Sequence, residues 1–477
     1  MSPTAANARC LRRASSSTAP FAKASTIGGN MADDMLDGTI MSELAVLGGN
    51  PVRRRSFCQW PQYLPRDAER LQEVLESGRW GGYPLPGRYS GEFAERFAAM
   101  HGARYALCVA NGTIALITAL QAAGVRFGDE VIVPAYTWDG TATAVLFAGG
   151  IPVFADVDPD TYCLSVESAR QAITPRTRAI LPVHLAMRFT CMDSLLELAK
   201  EHGLKVIEDC AHAHGGQFRG LGAGSMGDLG CFSFQESKLM TAGEGGIVIT
   251  SDLRCFEHLQ TQANCGRASL TDEYKQRPIG SNYRMTEFQA AVLIGQLDML
   301  PELAAQRSRA AARLGEALAA IEGVRPLPPQ PEITRESIYC YVFQYRSSGR
   351  GVSRDLFVSA LDAEGIPCDG RFYEPVYRSD LFCATPDAAP QLCMGRDRPV
   401  DYAGVCCPVS ERAAYDEAVW LPQFLLIGDT QDVDDIAAAV AKIMRNLDDL
   451  ATADPSLAGL KAMSRAERPK HERHKNY

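Results

Sequence analysis

"CFSFQESKLMTAGEGGIVIT", residues 231–250, holds two β-rich runs joined by a polar, glycine-rich loop. The first run (230–235) stops short of Lys238, and Gly243-Glu244-Gly245-Gly246 turns the chain back into the second (245–250). A lone lysine in a loop is ordinarily solvated. This one follows a strand end, from which its amine can reach inward and form an imine with an aldehyde. Ser233 and Gln235 precede it by five and three residues, on one strand face by the period of two, and both can donate to phosphate oxygens. The glycines let the backbone pack tightly against a ring.

Outward from this stretch, β-rich runs recur at 105–110, 130–136, 151–157, 178–184 and 205–211. Amphipathic helical stretches lie between several of them, at 113–124, 165–173 and 192–203. Near-continuous apolar strands alternating with helices predict an α/β fold, a mostly parallel sheet covered on both faces. Ligands in such sheets gather beyond the carboxyl ends of the strands. After about residue 285 the pattern changes to one long helical stretch, 285–321, with a break expected near Pro301. A β-rich run at 338–345 and helical patterns at 354–365 and 432–447 complete a smaller α/β unit. The expected organisation is a large domain over 41–300, a small one over 301–450 and a flexible tail over 451–477.

Three further segments bear on chemistry. In "CVANGTIALITAL" (108–120), Asn111 can cap a helix, Gly112 permits close approach and Thr113 adds a hydroxyl. Exposed amides at a helix start favour a phosphate, although such turns are common without one. In "VIEDCAHAHG" (206–215), Asp209 ends an apolar strand, where an ionised carboxylate needs a cation. It could pair with an arginine or cap a loop. A protonated pyridine nitrogen would also serve, at about 3 Å and an effective dielectric near 20 worth on the order of 5 kcal/mol. His212 could touch a phenolic oxygen of the same ring, or be a hydrogen-bonded core imidazole. In "PAYTWDGTATAV" (134–145), Tyr136 and Trp138 follow a strand end, where an indole can stack on a ring or simply pack. Phosphate cup, ring stacker, ring-nitrogen carboxylate and imine lysine, in that chain order, point to pyridoxal 5′-phosphate (PLP).

The chain has 477 residues, 46% hydrophobic and 22% charged, with a formal net charge of -9. That length suits two or three domains, and the acidic balance gives no general attraction to nucleic acid or anionic membranes. No run reaches the length of a membrane-spanning helix. Fifteen cysteines include no CxxC pair, so free thiols in a reducing, cytoplasmic setting are expected and no metal site is. Residues 1–40 are rich in Ala, Ser and Thr, with Arg9, Arg12, Arg13 and Lys23 but no secretory apolar core. They read as a disordered extension or an early start before "MSELAVLGGNPVR" (41–53), or as transit-peptide-like.

The motifs "NGTIAL" (111–116), "VIEDCAHAHG", "SFQESKLMTAGEGG" (233–246) and "GSNYRMTEFQAA" (280–291) resemble those of the sugar and cyclitol aminotransferases, the DegT/DnrJ/StrS family. The likeness runs from about residue 41 to 448. It implies a fold-type I PLP-dependent transferase in which Lys238 is the Schiff-base lysine and Asp209 the partner of the ring nitrogen. It further implies that Trp138 stacks on the ring and His212 lies near O3′. Gly112, Thr113, Ser233 and Gln235 would hold the phosphate, and Asn282 would reach the other active site of a homodimer. Many nucleotide-sugar members have His-Pro where this chain has Gln235-Glu236; Gln resembles the glutamine:scyllo-inosose aminotransferases and the 3-amino-5-hydroxybenzoate synthases. The expected reaction moves an amino group from glutamine or glutamate to a keto-cyclitol or keto-sugar. A PLP-dependent aromatising lyase and a non-catalytic PLP-binding regulator are the rival classes. After "PVHL" (182–185) the family usually continues with a glycine-containing turn, whereas this chain has Ala186-Met187-Arg188-Phe189.

Overall fold

The computed structural model describes residues 42–83, 86–267, 279–383 and 400–463. The expected extension over 1–40 and the basic stretch 464–477 lie outside the described residues. Helices α1 (Pro65–Ser77) and α2 (Arg88–His101) lead into a seven-stranded sheet. Its strands are β1 (Tyr105–Val109), β2 (Glu130–Pro134), β3 (Ile151–Ala155), β4 (Thr177–Ile180), β5 (Lys205–Asp209), β8 (Leu229–Ser233) and β9 (Gly246–Thr250), in the spatial order β1-β9-β8-β5-β4-β2-β3. The short β6 (Gln217–Phe218) and β7 (Leu221–Gly222) pair apart from it. Pairs β2–β3, β2–β4, β4–β5 and β5–β8 are parallel, while β9 runs antiparallel to both neighbours. The glycine-rich turn after Lys238 explains that one reversal, because a short connection can join only antiparallel strands.

Helices α3 (Gly112–Ala122), α4 (Asp139–Ala148), α5 (Val166–Gln171), α6 (Met192–His202) and α7 (Leu253–Ala263) fill the crossovers and flanks. Apolar side chains on both sheet faces build two cores, one around Ile132, Ile180 and Phe232, the other around Val131, Ile207 and Val248. Adjacent residues of one strand enter different cores because successive side chains point to opposite faces.

Helix α8 (Glu287–Ala319) runs unbroken through Pro301, against the expected break. A proline removes one hydrogen bond, but this helix is held on both sides of it. Leu297, Leu300, Leu314 and Leu318 are buried, and Thr286 and Gln289 cap its start reciprocally. Beyond it, β10 (Val324–Pro326), β12 (Cys340–Tyr345) and β13 (Ala418–Pro422) form an antiparallel sheet, and β11 (Ile333–Arg335) pairs with β6. Helix α9 (Arg354–Ala363) and the helix Thr430–Arg445 pack beside that sheet. Within 451–477, Pro455–Ala462 forms a short 3₁₀ element whose Ala458 carbonyl accepts from the Ser359 hydroxyl at 2.9 Å.

Candidate active site

Asp209, last residue of β5, is 5% exposed. Its Oδ2 accepts the Thr141 hydroxyl at 2.9 Å, and its Oδ1 the amide of Ala211 at 3.1 Å. Burial pushes its pKa up, opposed by these two donors and by the positive charge of Lys238. A carboxylate offers about four lone-pair sites, and two donors leave room for another.

Lys238 is in the turn just past β8, with its amide donating to the Gln235 carbonyl at 2.9 Å. Its ammonium stands 4.5 Å from the ring centre of Tyr339, a cation–π contact. His212 stacks on the same ring at 3.9 Å and 24°. Burial drives the His212 pKa well below the usual imidazole range, helped by Lys238 and His214, so the ring is neutral. Its Nδ1 accepts the amide of Ala186 at 3.2 Å, which leaves the proton on Nε2, 3.3 Å from the Tyr373 hydroxyl. Ala186 adopts φ +56°, the left-handed region that favours glycine. The turn therefore keeps the geometry of a glycine turn without the glycine.

At the other end, Asn111 caps α3 by accepting the Ile114 amide at 2.9 Å. The first amides, of Gly112 and Thr113, have no acceptor within the helix. A Cβ on Gly112 would come within 2.6 Å of Ser233 Cβ, so only glycine lets the helix start approach the end of β8. Gln235 lies beyond β8 in the turn, not on the strand face expected from the period of two. Its Oε1 accepts both the amide (2.9 Å) and the hydroxyl (2.7 Å) of Ser237, which leaves its amide nitrogen to donate. The Ser233 carbonyl is fixed from behind by His214 Nε2 at 2.8 Å.

Trp138 precedes α4 and is 55% exposed, with its indole folded over Gly140. Tyr136 is instead buried core, its hydroxyl taking the Trp420 indole N–H at 3.1 Å. Asn282 is exposed on a separate segment bridged to Asn264 at the end of α7. Among the described residues it shares no hydrogen bond with the others.

These residues fit PLP on the chemistry of their donors. A buried acid with spare lone pairs and an amine-bearing lysine face one end, and amides, a hydroxyl and a carboxamide N–H face the other. Behind them, His184, Glu208 and Cys210 cluster as metal ligands might be expected to. Glu208, however, already accepts from Gly224, Met226, Gly227 and His184, which fills its carboxylate. The cluster is a closed hydrogen-bond knot.

Thr141, Tyr339 and Tyr373 escaped sequence reasoning, whereas Ala186 stands in the segment already marked as a departure from the family's glycine-containing turn. Thr141 follows Trp138 by three residues, one helical turn, and that spacing was a usable signal. Nothing local marks the two tyrosines, which come from the far side of α8.

Residues 64–441 match the profile of the DegT/DnrJ/EryC1/StrS aminotransferase family. A protein of Streptoalloteichus tenebrarius provisionally named L-glutamine:3-amino-2,3-dideoxy-scyllo-inosose aminotransferase is 46% identical over 416 residues, covering 86% of this chain and 99% of its own. The L-glutamine:2-deoxy-scyllo-inosose aminotransferase of Streptomyces fradiae is 39% identical over 431 residues, 87% of this chain and 100% of that protein. Among solved structures, 3-amino-5-hydroxybenzoic acid synthase superposes with a TM-score of 0.73 at 34% identity, covering 82% of this chain and 100% of that one. Site geometry, sequence profile and superposition agree that the chain belongs to the DegT/DnrJ/EryC1/StrS aminotransferase family.

Proposed function

We propose that this aminotransferase carries an amino group from glutamine or glutamate to a keto-cyclitol, with PLP held at Lys238, in aminocyclitol or amino-sugar biosynthesis. The observation that carries the reading is the meeting of Lys238, Asp209 and His212 within reach of one another. The names of the glutamine:scyllo-inosose relatives support the choice of reactants.

PLP, when bound, supplies an aldehyde carbon that takes the amino group and a ring that absorbs electrons. Lys238 would hold the group through its amine, and that amine, once freed, would serve as the base that takes a proton from the donor's α-carbon and the acid that returns one to the acceptor carbon. Asp209 holds the ring nitrogen in its protonated form. Neutral His212 would stand beside the ring with its proton on Nε2, and Trp138 would cover a ring face. The amides of Gly112 and Thr113, the Ser233 hydroxyl and the Gln235 amide nitrogen bind the phosphate. Asn282 would complete the site of a second copy in a homodimer. The division into a PLP-binding domain over 41–300 and a small domain over 301–450, and a cytoplasmic setting, belong to the same reading.

Lys238→Ala is expected to abolish both the absorbance of covalently held cofactor and its fixation by borohydride, with transamination down by at least about 10³-fold. A variant that still transaminates would sink the proposal. A spectral screen with glutamine, glutamate and alanine, then scyllo-inosose or a nucleotide-linked keto-sugar, identifies donor and acceptor. Formation of an aromatic product would favour a lyase resembling the superposed synthase.

A further inference from the structure

A narrow cleft of about 20 Å³ opens beside the Lys238 turn, walled by Trp60, Ser237, Tyr339, Phe372, Gln423 and Phe424. Tyr339 is the shared wall, since its ring also carries the Lys238 ammonium at 4.5 Å. At the back of the cleft Gln423 is only 2% exposed. Its Oε1 takes two N–H groups of Arg307, Nε at 2.9 Å and Nη2 at 2.5 Å. Arginine only donates, so this contact fixes which way the carboxamide faces. The Gln423 nitrogen bonds to no described residue and is not sealed off, so its N–H groups are available to the cleft it lines.

Arg307 is the unusual member. It is 1% exposed, no described carboxylate pairs with it, and its Nη1 has no partner. Burial alone pushes its pKa down to about 9, so the guanidinium still carries its charge at neutral pH. Its centre lies 5.2 Å from the Trp60 ring, another wall of the cleft. A desolvated cation lacking a counter-ion is costly unless a negative group comes near. Of the two reactants, a keto-cyclitol carries no negative charge, whereas an α-amino acid carries a carboxylate.

We infer that this cleft receives the carboxylate of the amino donor, bound directly by the Gln423 amide and held by the charge of Arg307 behind it. Gln423 is a donor-binding residue, and Arg307 a positioning residue acting through it. The inference rests on the aminotransferase reading and names the recognition of one of its substrates.

Glutaramate, which is glutamine without its α-amine, keeps the carboxylate but cannot react; glutaramide lacks the charge. Calorimetric titration of the cofactor-loaded protein is expected to show tighter binding of glutaramate. Gln423→Glu gives Arg307 a full counter-ion, which preserves the fold, but meets the ligand with like charge. It should weaken glutaramate by about tenfold or more while moving glutaramide by less than about threefold. Gln423→Leu should weaken glutaramate alone, in the same direction. The donor half-reaction should rise in KM with little change in its limiting rate, and the acceptor half-reaction should keep its KM. Equal effects on both ligands, no effect on either, or a shift in acceptor KM would overturn the inference. Borohydride fixation at Lys238 is run on each variant. Its absence from wild type would count against the aminotransferase reading, whereas its presence with unchanged glutaramate binding counts only against the carboxylate cleft.

Discussion

At Ala186 a single methyl group meets a backbone conformation that suits glycine. Its amide and carbonyl are both committed, to His212 Nδ1 and to the Tyr339 amide, so the turn cannot relax without disturbing the site. The left-handed region costs a residue with a Cβ about 1–2 kcal/mol, part of which glycine loses again to unfolded-state entropy. Ala186→Gly should therefore raise apoprotein stability by roughly 0.5–1 kcal/mol in urea unfolding, with PLP affinity retained. Destabilisation would show that the turn is unstrained. Asp209 carries the opposite tension. An acid whose folded pKa is raised contributes stability below its unfolded value, near 4, and loses it as pH rises through the folded one. Ionising this side chain thus costs the apoprotein stability. Asp209→Asn should melt higher than wild type at pH 7 in the apo form, with the difference shrinking towards pH 4. Its transamination should fall by at least about 10²-fold, a trade between stability and function.

Among the elements, the start of α3 is the most exacting. Asn111 caps it, Gly112 allows it to touch β8, and the amides that a phosphate would take lie in that contact. In Gly112→Ala the added methyl would meet Ser233 Cβ at 2.6 Å, so helix or strand must move. We expect PLP affinity, measured by fluorescence titration, to drop by about tenfold or more while far-ultraviolet circular dichroism stays the same. Unchanged affinity would remove α3 from the phosphate site. Helix α8 teaches a different lesson. Pro301 is a reasonable stop signal read locally, yet buried leucines on either side outweigh one lost hydrogen bond. Packing overrules local propensity there because the burial energy belongs to the whole helix.

At the scale of the whole molecule, three neutral histidines are buried, His212 in the site and His101 and His214 elsewhere in the core. Burial lowers His101 and His214 to about 3 and His212 well below its usual range. A depressed pKa gives stability that is present above the unfolded value, near 6.5, and lost as pH falls towards the folded one. Between pH 6 and 3 the unfolded chain takes up protons that the folded one refuses, a loss of up to roughly 4 kcal/mol per pH unit for three such groups. Urea unfolding at stepped pH should show this slope, and His101→Gln should reduce it by about one proton. An unchanged slope would mean that His101 is protonated in the fold. The strand–helix alternation, the lysine loop, the capped helix start and the strand-end acid were legible because each depends on neighbours a few residues away. Period, caps and glycine turns are local physics. Tyr339 beneath Lys238, the Ala186 amide on His212, the course of α8 through Pro301 and the Arg307–Gln423 pair were decided only by tertiary structure. Their partners are separated by long stretches of chain, and no local pattern states which buried faces will meet.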